Sequence, residues 1–326
     1  MSKVHRRSLT ALAAVCMLAS VSVSALASDW PGSKPVNIIV PSAAGGAADL
    51  TARTVARYLS QKAGVDNVVV QDKPGAGGVI GTAAVKNAAP DGYTFLLSTN
   101  STQSANRYLY KTLPYDADKD FVNVGMIGTF QTVAVVSPDS KINTLRELVE
   151  QARSEPGKVF FGYYSSSSQV PPNLLKQYAK IDIAGAAYKN VTQILTDLRS
   201  GLIQFAFVDY LTAKGQIEGG NLKPIAVTGT ERNPHLPNIE TTTSVYPGFI
   251  VEGWMGISAP AGTPQAVVEK MSTYLKHALV DPEMVKQLSD LGLQPQAMGV
   301  AEFGKYIDGD IQRWAKWVET AQIKAQ

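Results

Sequence analysis

The chain has 326 residues, with 30 Lys or Arg, 27 Asp or Glu, three His and a single Cys, for a formal net charge of +3 at pH 7. That length supports a sizeable core without disulfides, and one cysteine excludes disulfide frameworks, cysteine–zinc sites and iron–sulfur clusters. Weak net charge without a basic block argues against nucleic acid or an anionic membrane surface as partner.

Residues 1–27 read as a cleaved secretory signal peptide. Lys3, Arg6 and Arg7 precede an apolar stretch from Leu9 to Leu26, and Ala25-Leu26-Ala27 supplies an A-x-A cleavage site before Ser28. Arg6-Arg7 leaves a twin-arginine route open beside the general one. Three of the 30 basic side chains and none of the 27 acidic ones lie in this segment, so cleavage leaves 27 against 27. Nothing after residue 27 reaches the run of about 20 apolar residues that a spanning helix needs. A periplasmic protein is expected.

The mature chain begins with a β-type run, Val36–Val40, followed by the turn Pro41-Ser42-Ala43-Ala44-Gly45-Gly46-Ala47 and a helix over Thr51–Ala63. Ala48, Ala52, Val55, Leu59 and Ala63 fall on one helical face. A second strand at Val68–Gln71 runs through Lys73-Pro74-Gly75-Ala76-Gly77-Gly78 into a helix over Val79–Ala88. Such strand–glycine turn–helix junctions present free backbone N–H groups and a positive dipole end, which suit a carboxylate or phosphate. Strands follow at Thr94–Ser98, Val122–Ile127 and Thr132–Val136, then a helix at Thr144–Arg153. Further strands are expected at Val159–Gly162, Phe205–Val208, Pro224–Thr228 and Val251–Ser258, with helices from Pro264 onward.

This alternation predicts an α/β protein with mostly parallel sheets and helices on both faces. The length favours two lobes. Gly125–Val136 and Val251–Ser258 are β-type stretches with few breakers, suited to two antiparallel crossover strands between lobes. Residues 28–130 and 253–326 would form lobe 1, and residues 131–252 lobe 2.

Enzymatic motifs are missing from the sequence. There is no G-x-S-x-G elbow and no H-E-x-x-H, and His235 and His277 lie apart from each other and from the glycine turns. Gly75-Ala76-Gly77-Gly78-Val79-Ile80-Gly81 has G-x-G-x-x-x-G spacing rather than the dinucleotide G-x-G-x-x-G. No metal and no cofactor are expected.

Binding candidates are the first turn, Ser42, Ala43, Ala44, Gly45, Gly46 and Ala47, and Asn100 after the third strand. Ser165, Ser166, Ser167, Ser168 and Gln169 form a donor array that leads to Pro171-Pro172, where proline suits a helix first turn. A solvated loop or helix cap is the structural alternative. Asp49 reads as a first-turn acid that orders the turn. Lys189 is a cation at a strand end or a solvated surface group. Asp209 ends a strand, where it can receive a ligand hydroxyl or ammonium, or cap a helix.

At these residues the chain resembles the extracytoplasmic solute-binding receptors of tripartite tricarboxylate transporters, the Bug or TctC-type family. The family run V-P-x-x-x-G-G-x-x-D-x-x-A-R is matched by Val40, Pro41, Gly45, Gly46, Asp49, Ala52 and Arg53. Lys73 to Gly81 matches R-P-G-A-G-G-x-x-G with lysine for arginine. Pro90-Asp91-Gly92-Tyr93-Thr94, Leu113-Pro114-Tyr115-Asp116 and Ala259-Pro260-Ala261-Gly262-Thr263-Pro264 are further landmarks.

The resemblance implies a two-lobe periplasmic binding protein (type II-like) closing on a small organic carboxylate, with two membrane subunits as partners. It places a carboxylate at Ser42 to Ala47 and assigns Tyr164 to Leu174 and Tyr188-Lys189-Asn190-Val191, followed by Thr192, to the second lobe. Asn173 stands where the family usually has histidine, and Asn190-Val191 where it has two glycines. A monomer is expected. A di- or tricarboxylate and an aromatic acid both remain open as ligand. A sensory binding protein for another small molecule, or an exported α/β enzyme, is the alternative.

Overall fold

The protein is described by a computed structural model over residues 30–326; the expected signal peptide lies outside the described residues. In chain order, β1 (Val36–Val40), α1 (Ala47–Lys62), β2 (Val68–Asp72), α2 (Val79–Lys86), β3 (Thr94–Thr99) and α3 (Asn106–Leu109) make the first section. The long strand β4 (Phe121–Val136) then leads into α4 (Leu145–Ser154), β5 (Val159–Tyr163), α5 (Ser166–Ala179), β6 (Ile183–Ala187) and α6 (Val191–Ser200). Next come β7 (Phe205–Asp209), α7 (Tyr210–Glu218), β8 (Lys223–Val227), α8 (Thr242–Val245) and β9 (Glu252–Pro260). The chain closes with α9 (Gln265–Ala278), α10 (Pro282–Leu291), β10 (Gln294–Met298) and α11 (Val300–Thr320).

The strands follow the order β2-β1-β3-β9-β4-β7-β5-β6, with β10 and β8 also on β4. In one wing β1 pairs parallel with β2 and β3; in the other β5 pairs parallel with β6 and β7. Val36, Ile38 and Val40 are fully buried and Ile39 nearly so, as expected of a parallel strand covered on both faces. Every antiparallel ladder described involves β4 or β9. The sheet is therefore mixed rather than mostly parallel, because the two crossing strands run against their neighbours.

Sequence pattern suggested two strands at Val122–Ile127 and Thr132–Val136; they are one 16-residue strand. β4 pairs with β9 from Phe121 opposite Pro260 to Gln131 opposite Glu252. Beyond Gln131 its partners are β7 and β8. The ladder with β9 shifts register around Asn123–Gly125 and Met126–Gly128, and such bulges bend and twist a strand.

Three larger apolar clusters pack around this frame. One unites Val36, Ile38 and Val40 with the α1 face Ala48, Ala52, Val55 and Leu59. Two others surround β5 and β7, built on Phe161, Phe205 and Phe207 and on Ile194, Leu198 and Val208. α11 touches both sides: Phe303 and Ile307 pack with Met126 and Trp254, whereas Trp314 and Val318 join the Phe161 cluster.

Glycine allows the crossing strands to pack closely. A Cβ on Gly256 would lie 2.8 Å from the Gly125 carbonyl and would collide with the Phe303 ring. Gly215, exposed within α7, has open space around its Cβ position. Gly256→Ala should destabilise by about 1–3 kcal/mol through overpacking. Gly215→Ala should stabilise by about 0.5–1 kcal/mol. Urea unfolding midpoints measure both, and equal midpoints for the two variants would contradict this packing.

Candidate functional site

A cleft of about 1220 Å³ opens where the carboxyl ends of the parallel strands from both wings converge. Its walls come from the β1–α1 turn, the β2–α2 turn, the end of β3, and the junctions β5–α5, β6–α6 and β7–α7. Open α/β sheets place ligand sites in such crevices beyond their strand ends.

Ser42, Ala43, Ala44, Gly45, Gly46 and Ala47 all line this cleft. The left-handed residue of the turn is Gly45, at φ +75°; Gly46 is extended at φ −81° and caps α1 without a side chain. The Gly45 N–H donates to Asp49 Oδ2 at 2.8 Å, and Arg53 Nε lies 2.6 Å from Asp49 Oδ1. Arg53 also reaches Asp72 Oδ2 at 3.2 Å. Burial, with Asp49 nearby, pushes the Asp72 carboxyl up. Asp49 thus shapes the turn while Arg53 compensates its charge. The Ala47 N–H donates across the cleft to Thr212 Oγ1 at 3.3 Å, and the buried Ser42 Oγ has no partner among the described residues.

Asn100 ties the wings together. Its Nδ2 donates to Ser167 Oγ at 3.0 Å and Ser166 Oγ at 3.4 Å, and its Oδ1 accepts the Trp254 backbone N–H at 3.3 Å. Ser101 Oγ and Ser166 Oγ are 2.6 Å apart. Asn100, Ser165, Ser166, Ser167 and Gln169 line the cleft, but Ser168 does not. Its hydroxyl accepts from the backbone N–H groups of Tyr164 and Ser165, each at 2.9 Å, and closes the cap of α5. That cap starts the helix at Ser166, so Pro171 and Pro172 sit inside it rather than in its first turn. Asn173 likewise turns away from the ligand role: its Nδ2 donates to the Gln169 carbonyl at 2.7 Å, and it does not line the cleft.

Lys189, Asn190, Val191, Thr192 and Asp209 also line the cleft. Lys189 is exposed. Asn190 Oδ1 caps α6 by accepting the Gln193 N–H at 3.1 Å. Asp209 Oδ2 accepts the Tyr164 hydroxyl at 2.7 Å, while Oδ1 is buried and without a partner among the described residues. Burial raises the Asp209 carboxyl to about 6, against the opposing effect of the Tyr164 hydrogen bond, and pushes the Tyr164 hydroxyl well above its ordinary value.

Sequence reasoning left several lining residues out of the site. The second glycine turn, Pro74 to Gly78, borders the cleft, and its strand–turn–helix pattern was a readable signal. Tyr110, Tyr163, Tyr164 and Tyr188 also line it, as do Leu195 and Thr212. Their positions depend on loop geometry and on pairing between distant elements.

Similarities to known proteins agree with this architecture. The family described as "Tripartite tricarboxylate transporter family receptor" matches residues 51–323. Protein BugT of Bordetella pertussis is 31% identical over 312 residues, covering 94% of each chain. An R. palustris protein solved with adipate superposes with a TM-score of 0.88 at 28% identity, covering 91% of this chain and 100% of its own. Periplasmic binding protein BugD superposes at 0.83 with 30% identity, covering 90% and 99%. The fold is that of a two-lobe periplasmic binding protein, and the chain belongs to the tripartite tricarboxylate transporter receptor family.

Proposed function

We propose that this protein is an exported receptor that captures a small organic carboxylate in the cleft and delivers it, without catalysis, to the membrane subunits of a tripartite transporter. The observation that carries this is the β1–α1 turn: six consecutive residues, Ser42 to Ala47, face the cleft at the start of a helix, with Asp49 of that helix already paired to Arg53. Backbone N–H groups at a helix start favour an anion. Adipate in a structural relative supports a carboxylate as that anion.

In this account residues 28–130 and 253–326 form one lobe and residues 131–252 the other. Asn100 and Ala47 on the first side, and Ser165–Ser167, Gln169, Lys189–Thr192 and Asp209 on the second, enclose the ligand. Closure of such lobes about their crossing strands replaces water by fixed dipoles. The protein acts as a periplasmic monomer, with residues 1–27 removed on export.

Two outcomes are expected. Gly45→Ala forces a side chain into the left-handed region at a cost of about 1–2 kcal/mol, and should weaken calorimetric affinity for a bound acid at least tenfold, about 1.4 kcal/mol. Wild-type affinity in a folded Gly45→Ala protein would remove this turn from the site. Intact mass of the periplasmic protein should correspond to a chain starting at Ser28; a periplasmic species that retains Met1 would contradict processing.

A further inference from the structure

Resting on the carboxylate assignment, we propose that the cleft selects acids with an extended apolar or aromatic body, and rejects short hydroxy-diacids and tricarboxylates. Two independent observations support this.

The first is the charge inventory of the wall. Its side chains include one cation, Lys189, and one carboxylate, Asp209. The first turn accommodates one carboxylate through backbone groups. Lys189 is exposed, so water screens what it offers to a second. A third negative charge would meet no cation and would approach Asp209, whose buried Oδ1 already lacks a partner among the described residues.

The second is the face that α6 presents. Ile194 and Leu198 point into the core at 0% and 1% exposure. Val191 and Leu195, one turn apart on a neighbouring face, line the cleft and are half-buried. Tyr188 stands beside them, its hydroxyl held by Asp197 Oδ2 at 2.7 Å. Tyr110 and Tyr163 also border the space. Hydroxyls of malate or citrate would find few partners on this apolar strip and would lose hydration against it. A ring or methylene chain covers the strip and gains from doing so. Val191 and Leu195 are thus specificity-determining residues.

The test is calorimetry on the ligand-stripped mature protein with 4-hydroxybenzoate, terephthalate, adipate, malate and citrate. At least one of the first three should bind ten times more tightly than both malate and citrate. In Val191→Thr and Leu195→Ala, affinity for that acid should fall at least threefold, whereas Val280→Thr, exposed away from the cleft, should match wild type. Malate or citrate as the tightest ligand would overturn this inference and leave the carboxylate assignment standing. Unchanged affinity in both folded α6 variants would overturn the role of the strip, and if one variant fails to fold, the other and the wild-type ranking decide. Binding of none of the five acids would overturn the carboxylate assignment itself, and this inference with it.

Discussion

The antiparallel pairing of β4 with β9 is the constraint on which both wings depend. β3 and β10 attach to one stretch of these strands, and β7 and β8 attach to β4 beyond Gln131. The same strands reach the site. The Trp254 backbone N–H, in β9, holds Asn100, and Asn100 holds Ser166 and Ser167. The Trp254 indole in turn donates to Asp310 Oδ2 at 2.6 Å, and Arg313 donates to the other oxygen at 2.9 Å. Burial pushes the Asp310 carboxyl up, and the Trp254 hydrogen bond opposes that shift. Frame, C-terminal helix and cleft are therefore linked through Trp254, whose backbone N–H bonds Asn100 and whose indole bonds Asp310.

In the proposed reading, the cleft holds an anion with dipoles more than with ions. A buried cation would bind a carboxylate strongly and release it slowly, whereas backbone N–H groups and serine hydroxyls give moderate, directional contacts. Asp209 shows the cost of keeping polar chemistry in such a wall. Its carboxyl is raised from 3.8 to about 6 in the folded protein. The folded state therefore binds more protons than the unfolded state between those values, and stability falls as pH rises through that window, by at most about 3 kcal/mol.

Local chemistry made parts of this structure readable from sequence. Val36–Val40 and its glycine turn were legible because an apolar strand, paired glycines and an amphipathic helix follow one another within a short span. The face Ala48, Ala52, Val55 and Leu59 was legible from its 3.6-residue period. β10, with the sequence Gln-Pro-Gln-Ala-Met, has almost no apolar pattern and exists through its backbone pairing with β4. β6 is small-residue rich and largely exposed, so its sequence carries little strand signal. Pro171-Pro172 misdirected the start of α5 because the Ser165–Ser168 cap lies upstream and determines it. Gly45 and Gly46 were equivalent in sequence, and only the hydrogen bond to Asp49 distinguishes which one is left-handed. The Tyr164–Asp209 contact joins residues 45 apart, a separation that periodicity does not encode.

The central claim is that one carboxylate of the ligand is bound by the backbone of the β1–α1 turn, between wings joined through Asn100. A crystal structure of the mature protein with its tightest-binding acid among 4-hydroxybenzoate, terephthalate, adipate, malate and citrate tests it most directly. The account predicts a carboxylate within hydrogen-bond distance of N–H groups between Ser42 and Ala47, with Asn100 still bonded to Ser167. A carboxylate held at Lys189 and away from that turn, or a ligand outside the cleft, would contradict it.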